Sequence, residues 1–191
     1  MFNFSELKLP IIQAPMAGGV CTPELVAAVA NAGGVGSFGF AYSTPQKIAE
    51  EIIAARSLIS GNNGLGAINA NFFVFQPVEL PNTEVQKSAQ AALLALPIAK
   101  DAFDTPPAIP SAPFYPVLHE QIAPIWQHKP EILTFHFGIP DEAIVAQAHA
   151  LGITVGMTAT CLTEALAIEK AGADFIVAQG IEAGGHRGIF D

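Results

Sequence analysis

The sequence predicts an α/β protein built on a parallel sheet, and three observations carry that prediction. Short apolar runs alternate along the chain with helical segments. The helical segments begin at capping residues, and several of them end at glycine. Most of the runs are apolar throughout rather than alternating, as expected for parallel strands covered by helices. Strands that alternate with helices imply a parallel sheet with right-handed crossovers.

Each predicted element is bounded by turn or capping residues. The pairs Thr22-Pro23 and Thr44-Pro45 place a capping hydroxyl before a proline suited to the first helical position. Further helices are predicted from Pro140 onward and over 160–171, with two more over 83–96 and 119–128. Six strands are predicted: Ile11–Ala14, Val35–Phe38, Leu65–Asn71, Ile132–Phe135, Ile153–Met157 and Phe175–Ala178.

Composition narrows the class of protein. The 191 residues carry a net charge of −9 and are 51% apolar, which suits one buried core and excludes a disordered chain. An acidic balance argues against nucleic acid or an anionic membrane as a partner. Cys21 and Cys161 are too few for a disulfide framework, lack metal-ligand spacing, and are expected to be buried. No signal peptide or spanning segment is predicted, so a cytoplasmic location is expected.

The prolines are concentrated between the third and fourth predicted strands. We interpret residues 97–116 as a proline-rich insert, an extended surface loop or a lid. The strand–helix pattern resumes directly after it, so the whole of 1–191 is interpreted as one domain.

Two architectures share this order of elements. A doubly wound open sheet and a (β/α)8 barrel both begin with alternating strands and helices. The barrel has eight strands and typically about 250 residues, whereas six strands are predicted here. The chain is therefore either an open sheet or a barrel with about six of its eight units.

Both architectures bind ligands at the carboxyl ends of their strands. Small, amide, hydroxyl or imidazole groups follow each of the six predicted strands. The last loop is the richest: Gly184 and Gly185 permit close backbone approach, His186 can move protons near neutral pH, and Arg187 offers a fixed charge. His186 as a plain loop histidine and His136 as a core histidine remain open alternatives. Neither a GxGxxG after the first strand nor a P-loop motif is present.

Several stretches of the sequence together resemble one enzyme family. They are similar to nitronate monooxygenases, FMN-dependent flavoenzymes with a TIM-barrel fold. The similarity runs from Leu9 to Asp191, and the EAGGHRG loop is its most specific part. The matching stretches are residues 10–19 (PIIQAPMAGG), 71–73 (NFF), 171–174 (AGAD) and 179–188 (QGIEAGGHRG).

The resemblance implies one FMN lying across the carboxyl-end mouth of an FMN-binding barrel domain. His186 matches the family's catalytic base, and His136 matches a second histidine of the substrate pocket. No metal is implied. The residues implied to contact the cofactor are Ala14, Pro15, Met16, Asn69, Asn71, Gln179, Gly184 and Gly185.

The implied reaction oxidises a nitroalkane or its nitronate with dioxygen to a carbonyl compound and nitrite. An imidazole can remove the α-proton, and the flavin carries the redox step. Family members continue with two further strand–helix units, whose loops take most of the phosphate contacts, so the chain is expected to be truncated at its C-terminus. Two alternatives stay open: another FMN barrel such as an enoyl-acyl-carrier-protein reductase, or a non-catalytic remnant that pairs its open edges as a homo-oligomer.

Overall fold

A computed structural model describes residues 2–60, 66–98 and 111–190. It divides into two compact units, one formed by 1–76 with 116–191 and the other by 77–115. Residues 99–110, most of the predicted proline-rich insert, lie outside the described residues.

The larger unit contains five strands and six α-helices within its described residues. A short 3-10 helix, Phe4–Glu6, precedes them. The strands are β1 (Val35–Gly39), β2 (Ala67–Phe73), β3 (Ile132–His136), β4 (Thr154–Ala159) and β5 (Phe175–Ala178). The helices are α1 (Pro23–Ala32), α2 (Pro45–Leu58), α4 (Leu118–Gln121), α5 (Ala123–His128), α6 (Glu142–Ala150) and α7 (Leu162–Lys170). In the smaller unit, α3 covers Thr83–Leu94 and is capped by Asn82, whose side chain accepts a hydrogen bond from Val85 N.

The five strands are parallel and lie in the order in which the chain makes them. A doubly wound sheet reverses its strand order part-way along, and this sheet does not. The chain therefore forms a partial (β/α)8 barrel, as predicted.

The first predicted strand, Ile11–Ala14, is reduced to a single parallel bridge between Ile12 and Val35. Gln13 N donates to Val35 O at 2.9 Å, and Val35 N donates to Ile11 O at 2.9 Å. Pro10 and Pro15 flank this segment. Because proline has no N–H to donate, the ladder cannot extend far in either direction.

The helix starts follow the predicted capping chemistry in α1 and α2. Thr22 Oγ1 accepts from Leu25 N, and Thr44 Oγ1 accepts from Lys47 N, both at 3.3 Å. The segment predicted as one helix over 119–128 forms two, α4 and α5, because Pro124 lacks the N–H that a continuous helix would use.

The two cysteines differ in burial. Cys21 is buried as predicted. The same prediction for Cys161 is wrong, because that residue stands exposed at the start of α7.

Alternate residues of the strands face two environments. Phe38, Phe72 and Phe135 belong to the core shared with the helices and are fully buried. Their neighbours on the opposite face are polar and also buried: Ser37, Asn69, Asn71 and Thr134. This two-residue period is that of a β-strand, and it gives the barrel a polar interior.

Apolar side chains, three of them aromatic, fill the amino-terminal end of the sheet. Phe2, Phe4, Leu7 and Phe175 pack against the first residues of β1, β2 and β3. The rings of Phe4 and Phe175 meet with centroids 4.8 Å apart. The amino-terminal end is therefore filled by apolar side chains. The polar groups that could bind a ligand lie at the carboxyl end.

No helix in residues 2–60, 66–98 and 111–190 has both the length and the apolar character needed to span a bilayer.

Gly156 of β4 allows Phe175 to fill this end. A Cβ at position 156 would lie 2.2 Å from Phe175 Cζ. We expect Gly156→Ala to lower the free energy of unfolding by about 1–3 kcal/mol, since overpacking forces the ring to move. Urea unfolding checks the value. In a Phe175→Ala background the same substitution should cost much less, and equal costs in both backgrounds would contradict this explanation.

Candidate functional site

The carboxyl ends of β3 and β5 bring together three of the predicted site residues. Gln179 follows β5, and its Nε2 donates to His186 O at 3.0 Å. Gln179 Oε1 accepts from Gly188 N at 2.7 Å. His136, the last residue of β3, also contacts His186 O, through its Nε2 at 3.3 Å. Two side chains, one at the end of β3 and one just after β5, thus fix the backbone of the loop that carries His186.

The two histidines differ in environment. Residue 186 is exposed, whereas His136 is half-buried. Burial lowers the pKa of His136, and the nearby His186 lowers it further, while its hydrogen bond to the His186 carbonyl partly opposes both. His136 is therefore neutral near pH 7. Because a carbonyl can only accept, Nε2 of His136 carries the hydrogen.

Gly188 lets the loop lie against the end of the sheet. A Cβ at this position would lie 2.5 Å from His136 Cε1 and 2.9 Å from Thr158 Cγ2. Any larger side chain would displace His136 or the end of β4. The glycine is thus explained by close approach rather than by backbone conformation.

Aromatic rings line the same edge beside the histidines. Phe137 has a left-handed backbone (φ 68°), and its ring meets the edge of Phe73 with centroids 4.7 Å apart. Phe137 also lies edge-on to His186 at 6.2 Å, and Phe73 lies 5.8 Å from His136. Neither phenylalanine is among the site residues predicted from the sequence. Their positions at the ends of β2 and β3 were the available signal.

Asn69 and Asn71 share one face of β2, as predicted, but occupy different depths. Asn69 is 1% exposed; its Nδ2 donates to Ser37 Oγ and its Oδ1 accepts from Thr134 Oγ1. Asn71 lies two residues nearer the mouth, and its Nδ2 donates to Thr134 Oγ1 at 2.9 Å. Both ends of the Asn69 amide are thus engaged within the barrel.

The loop after the bridge segment lies over the end of β1. Ala14, Pro15 and Met16 are all exposed. Met16 N donates to the buried Cys21 Sγ at 3.1 Å. A Cβ on Gly39, the last residue of β1, would lie 2.5 Å from the Met16 carbonyl carbon. The loop is therefore packed against the strand end and presents its outer backbone at the mouth.

The predicted glycines Gly184 and Gly185 are exposed, with open space where a side chain would stand. Gly185 has a φ of 74°, which favours glycine. Loop backbone of this kind can approach a flat ring or an anion closely.

These features define a class: a (β/α) barrel whose polar groups and histidines lie at the carboxyl ends of its strands. Over residues 1–191 the sequence matches the family described as nitronate monooxygenase. The chain belongs to the nitronate monooxygenase family.

Individual relatives agree with that assignment. A nitronate monooxygenase of Paraburkholderia phytofirmans is 40% identical over 184 residues, covering 95% of this chain and 48% of the relative. A probable nitronate monooxygenase of Staphylococcus aureus is 36% identical over 192 residues, covering 97% of this chain and 49% of the relative. The chain thus spans about half the length of these relatives.

Solved structures give the same picture. A nitroalkane oxidase from Streptomyces ansochromogenes superposes with a TM-score of 0.79 at 37% identity, covering 97% of this chain and 50% of that one. FabK from Thermotoga maritima superposes with a TM-score of 0.64 at 24% identity, covering 97% of this chain and 45% of that one. At that identity the likeness to FabK concerns the fold alone.

The lowered pKa of His136 predicts a pH dependence of stability. Its folded-state pKa lies below the unfolded value of about 6.5, so the unfolded chain binds this proton more readily. The stabilising contribution is therefore complete above about pH 6.5 and is lost as the pH falls toward the folded-state pKa. Urea unfolding at pH 5.5 and 7.5 measures the difference.

His136→Gln keeps an N–H donor but does not titrate, so it should show a smaller difference between the two pH values. His128→Gln, before the amino end of β3, serves as the matched control. A His136→Gln protein with the full wild-type pH dependence would contradict the assignment.

Proposed function

We propose that this chain carries the catalytic site of an FMN-dependent nitronate monooxygenase. Its substrates would be alkyl nitronates and nitroalkanes, oxidised with dioxygen to carbonyl compounds and nitrite. The observation that carries the proposal is the double hydrogen bond from Gln179 and His136 to the His186 carbonyl. It fixes the backbone that carries an exposed imidazole at the barrel mouth, within a chain that matches this family throughout.

The residues at the mouth fit a flavin. The exposed backbone of 14–16 lies over the end of β1, and Gly184 and Gly185 leave open space beside theirs. We assign direct cofactor contact to Ala14, Pro15, Met16, Asn71, Gln179 and the two glycines, and a supporting position to Asn69. When bound, FMN would accept electrons from the substrate and pass them to dioxygen.

His186 would act as the general base on a neutral nitroalkane. Its imidazole is exposed while its own carbonyl is held from behind, so the ring can face a substrate from a fixed backbone. His136 stays neutral, because its burial disfavours the charged form. Phe137 and Phe73 would exclude water beside the reacting carbon.

His186→Asn tests the assignment of the base. We expect the variant to lose at least about 100-fold in kcat/KM on 2-nitropropane, the lower end of what a general base contributes. It should keep much of its activity on the preformed nitronate, which has already lost the α-proton. Nitrite release measures both rates.

His128→Asn is the control for the same assays. Equal losses on the two substrates would show that His186 does not act as the base. A wild-type chain that releases no nitrite from either substrate would overturn the proposed activity.

Asn71→Ala should weaken flavin retention, because the Asn71 amide is assigned to the cofactor and, although only 5% exposed, lies two residues nearer the mouth than Asn69. The visible absorption spectrum of the purified protein and identification of the released flavin check this. Asn31→Ala, in the last turn of α1, loses hydrogen bonds to Leu58 O and from Ser60 N and is the matched control, expected to keep its flavin. An unchanged flavin content in Asn71→Ala would remove Asn71 from the site.

A further inference from the structure

Glu164 is a fully buried carboxylate behind the His186 loop. It lies in the first turn of α7 and is 0% exposed. A buried glutamate is uncommon unless its oxygens are paired. Here both are: Oε2 accepts from Thr160 N at 2.6 Å and Thr160 Oγ1 at 2.8 Å, and Oε1 accepts from Phe190 N at 2.7 Å.

Only half of this arrangement is explained by the helix. A glutamate in the first turn commonly turns back to an N–H that precedes the helix, and the helix dipole favours its charge there. The bond from Oε2 to Thr160 fits that pattern. The bond from Oε1 does not, because Phe190 is 26 residues further along the chain.

The Oε1 bond fixes the far end of the loop that carries His186. Gln179 holds this loop at His186 and Gly188, and Glu164 holds it at Phe190. The Phe190 side chain packs against the main core, which strengthens the same anchor. The segment between the anchors is short, so a shift at Phe190 is transmitted to Gly188 and to the histidine.

We propose that Glu164 is a positioning residue for His186. The proposal rests on the function proposed above, in which His186 removes a proton from the substrate. Glu164 acts through the loop: its carboxylate fixes Phe190 and thereby the distance of the imidazole from the reacting carbon. Small displacements of a catalytic group can cost about 100-fold in rate.

Glu164→Gln is the sharpest substitution, because it keeps the shape and removes one acceptor. An amide has a single acceptor oxygen. Thr160 offers two donors, N and Oγ1, and Phe190 offers one, so we expect the oxygen to face Thr160 and the NH2 group to face Phe190 N. Glu169→Gln, exposed on the same helix, is the matched control. Thr160→Val removes the hydroxyl donor that precedes α7. It leaves the bond from Phe190 N to Glu164 in place.

The first readout is hydrogen exchange at the Phe190 and Gly188 amides, which needs no substrate. The second is the ratio of kcat/KM on 2-nitropropane to that on its preformed nitronate. In Glu164→Gln we expect faster exchange at both amides and a fall of at least about tenfold in the ratio. Glu169→Gln and Thr160→Val should leave both readouts near the wild-type values.

Unchanged exchange in Glu164→Gln, or equal losses on the two substrates, would overturn the positioning role. Glu164→Asp replaces the glutamine variant if that variant does not fold. Aspartate keeps the charge at the helix start but is one methylene too short to reach Phe190 as well, so the same changes are expected.

The two proposals fail differently. A wild-type chain that oxidises neither substrate overturns the proposed function and, with it, this role. An active wild-type chain whose substrate ratio is unchanged in the folded Glu164 variant overturns the positioning role alone.

Discussion

The parallel, consecutive pairing of the strands is the constraint on which the rest of the structure depends. It places the carboxyl end of every strand at one edge and every amino end at the other. The amino end receives Phe2, Phe4 and Phe175, whose packing needs Gly156 beneath it. His136 and the loop after β5 lie at the carboxyl end. Residues that lie far apart in sequence meet there because register, rather than local sequence, brings them together.

The site is supported from inside the barrel as much as from its loops. A run of hydrogen-bonded side chains crosses three neighbouring strands, from Ser37 through Asn69 and Thr134 to Asn71. Buried polar groups are costly unless satisfied, and here each one satisfies the next. The barrel interior can therefore be polar while its side chains keep fixed positions. Asn71 is the asparagine of this run that lies nearer the mouth.

Much of the fold could be predicted from the sequence because its signals are local. Thr22 and Thr44 cap the helices that they precede, and glycine ends α1 at Gly33 as its position suggests. The exceptions have equally local causes: Pro10 and Pro15 limit the first strand to a bridge, and Pro124 divides a helix. The location of the candidate residues at the carboxyl ends of the strands was predictable, but the hydrogen bonds between them were not. Nothing in the pattern around Glu164 indicates that its carboxylate reaches Phe190, since that contact depends on how the chain returns after β5.

The segment between β2 and β3 shows how little such a fold constrains the length of a connection. These strands are neighbours, although the chain between Phe73 and Ile132 is roughly twice as long as that between Gly39 and Ala67. The entropic cost of closing a flexible loop rises only with the logarithm of the loop's length. Each doubling of that length adds about 0.6 kcal/mol. Residues 77–115 could therefore lengthen or shorten during evolution at small cost to the pairing of β2 with β3. Changes in the length of this segment therefore lower the stability little. Selection can act on the segment's function while the barrel stays intact.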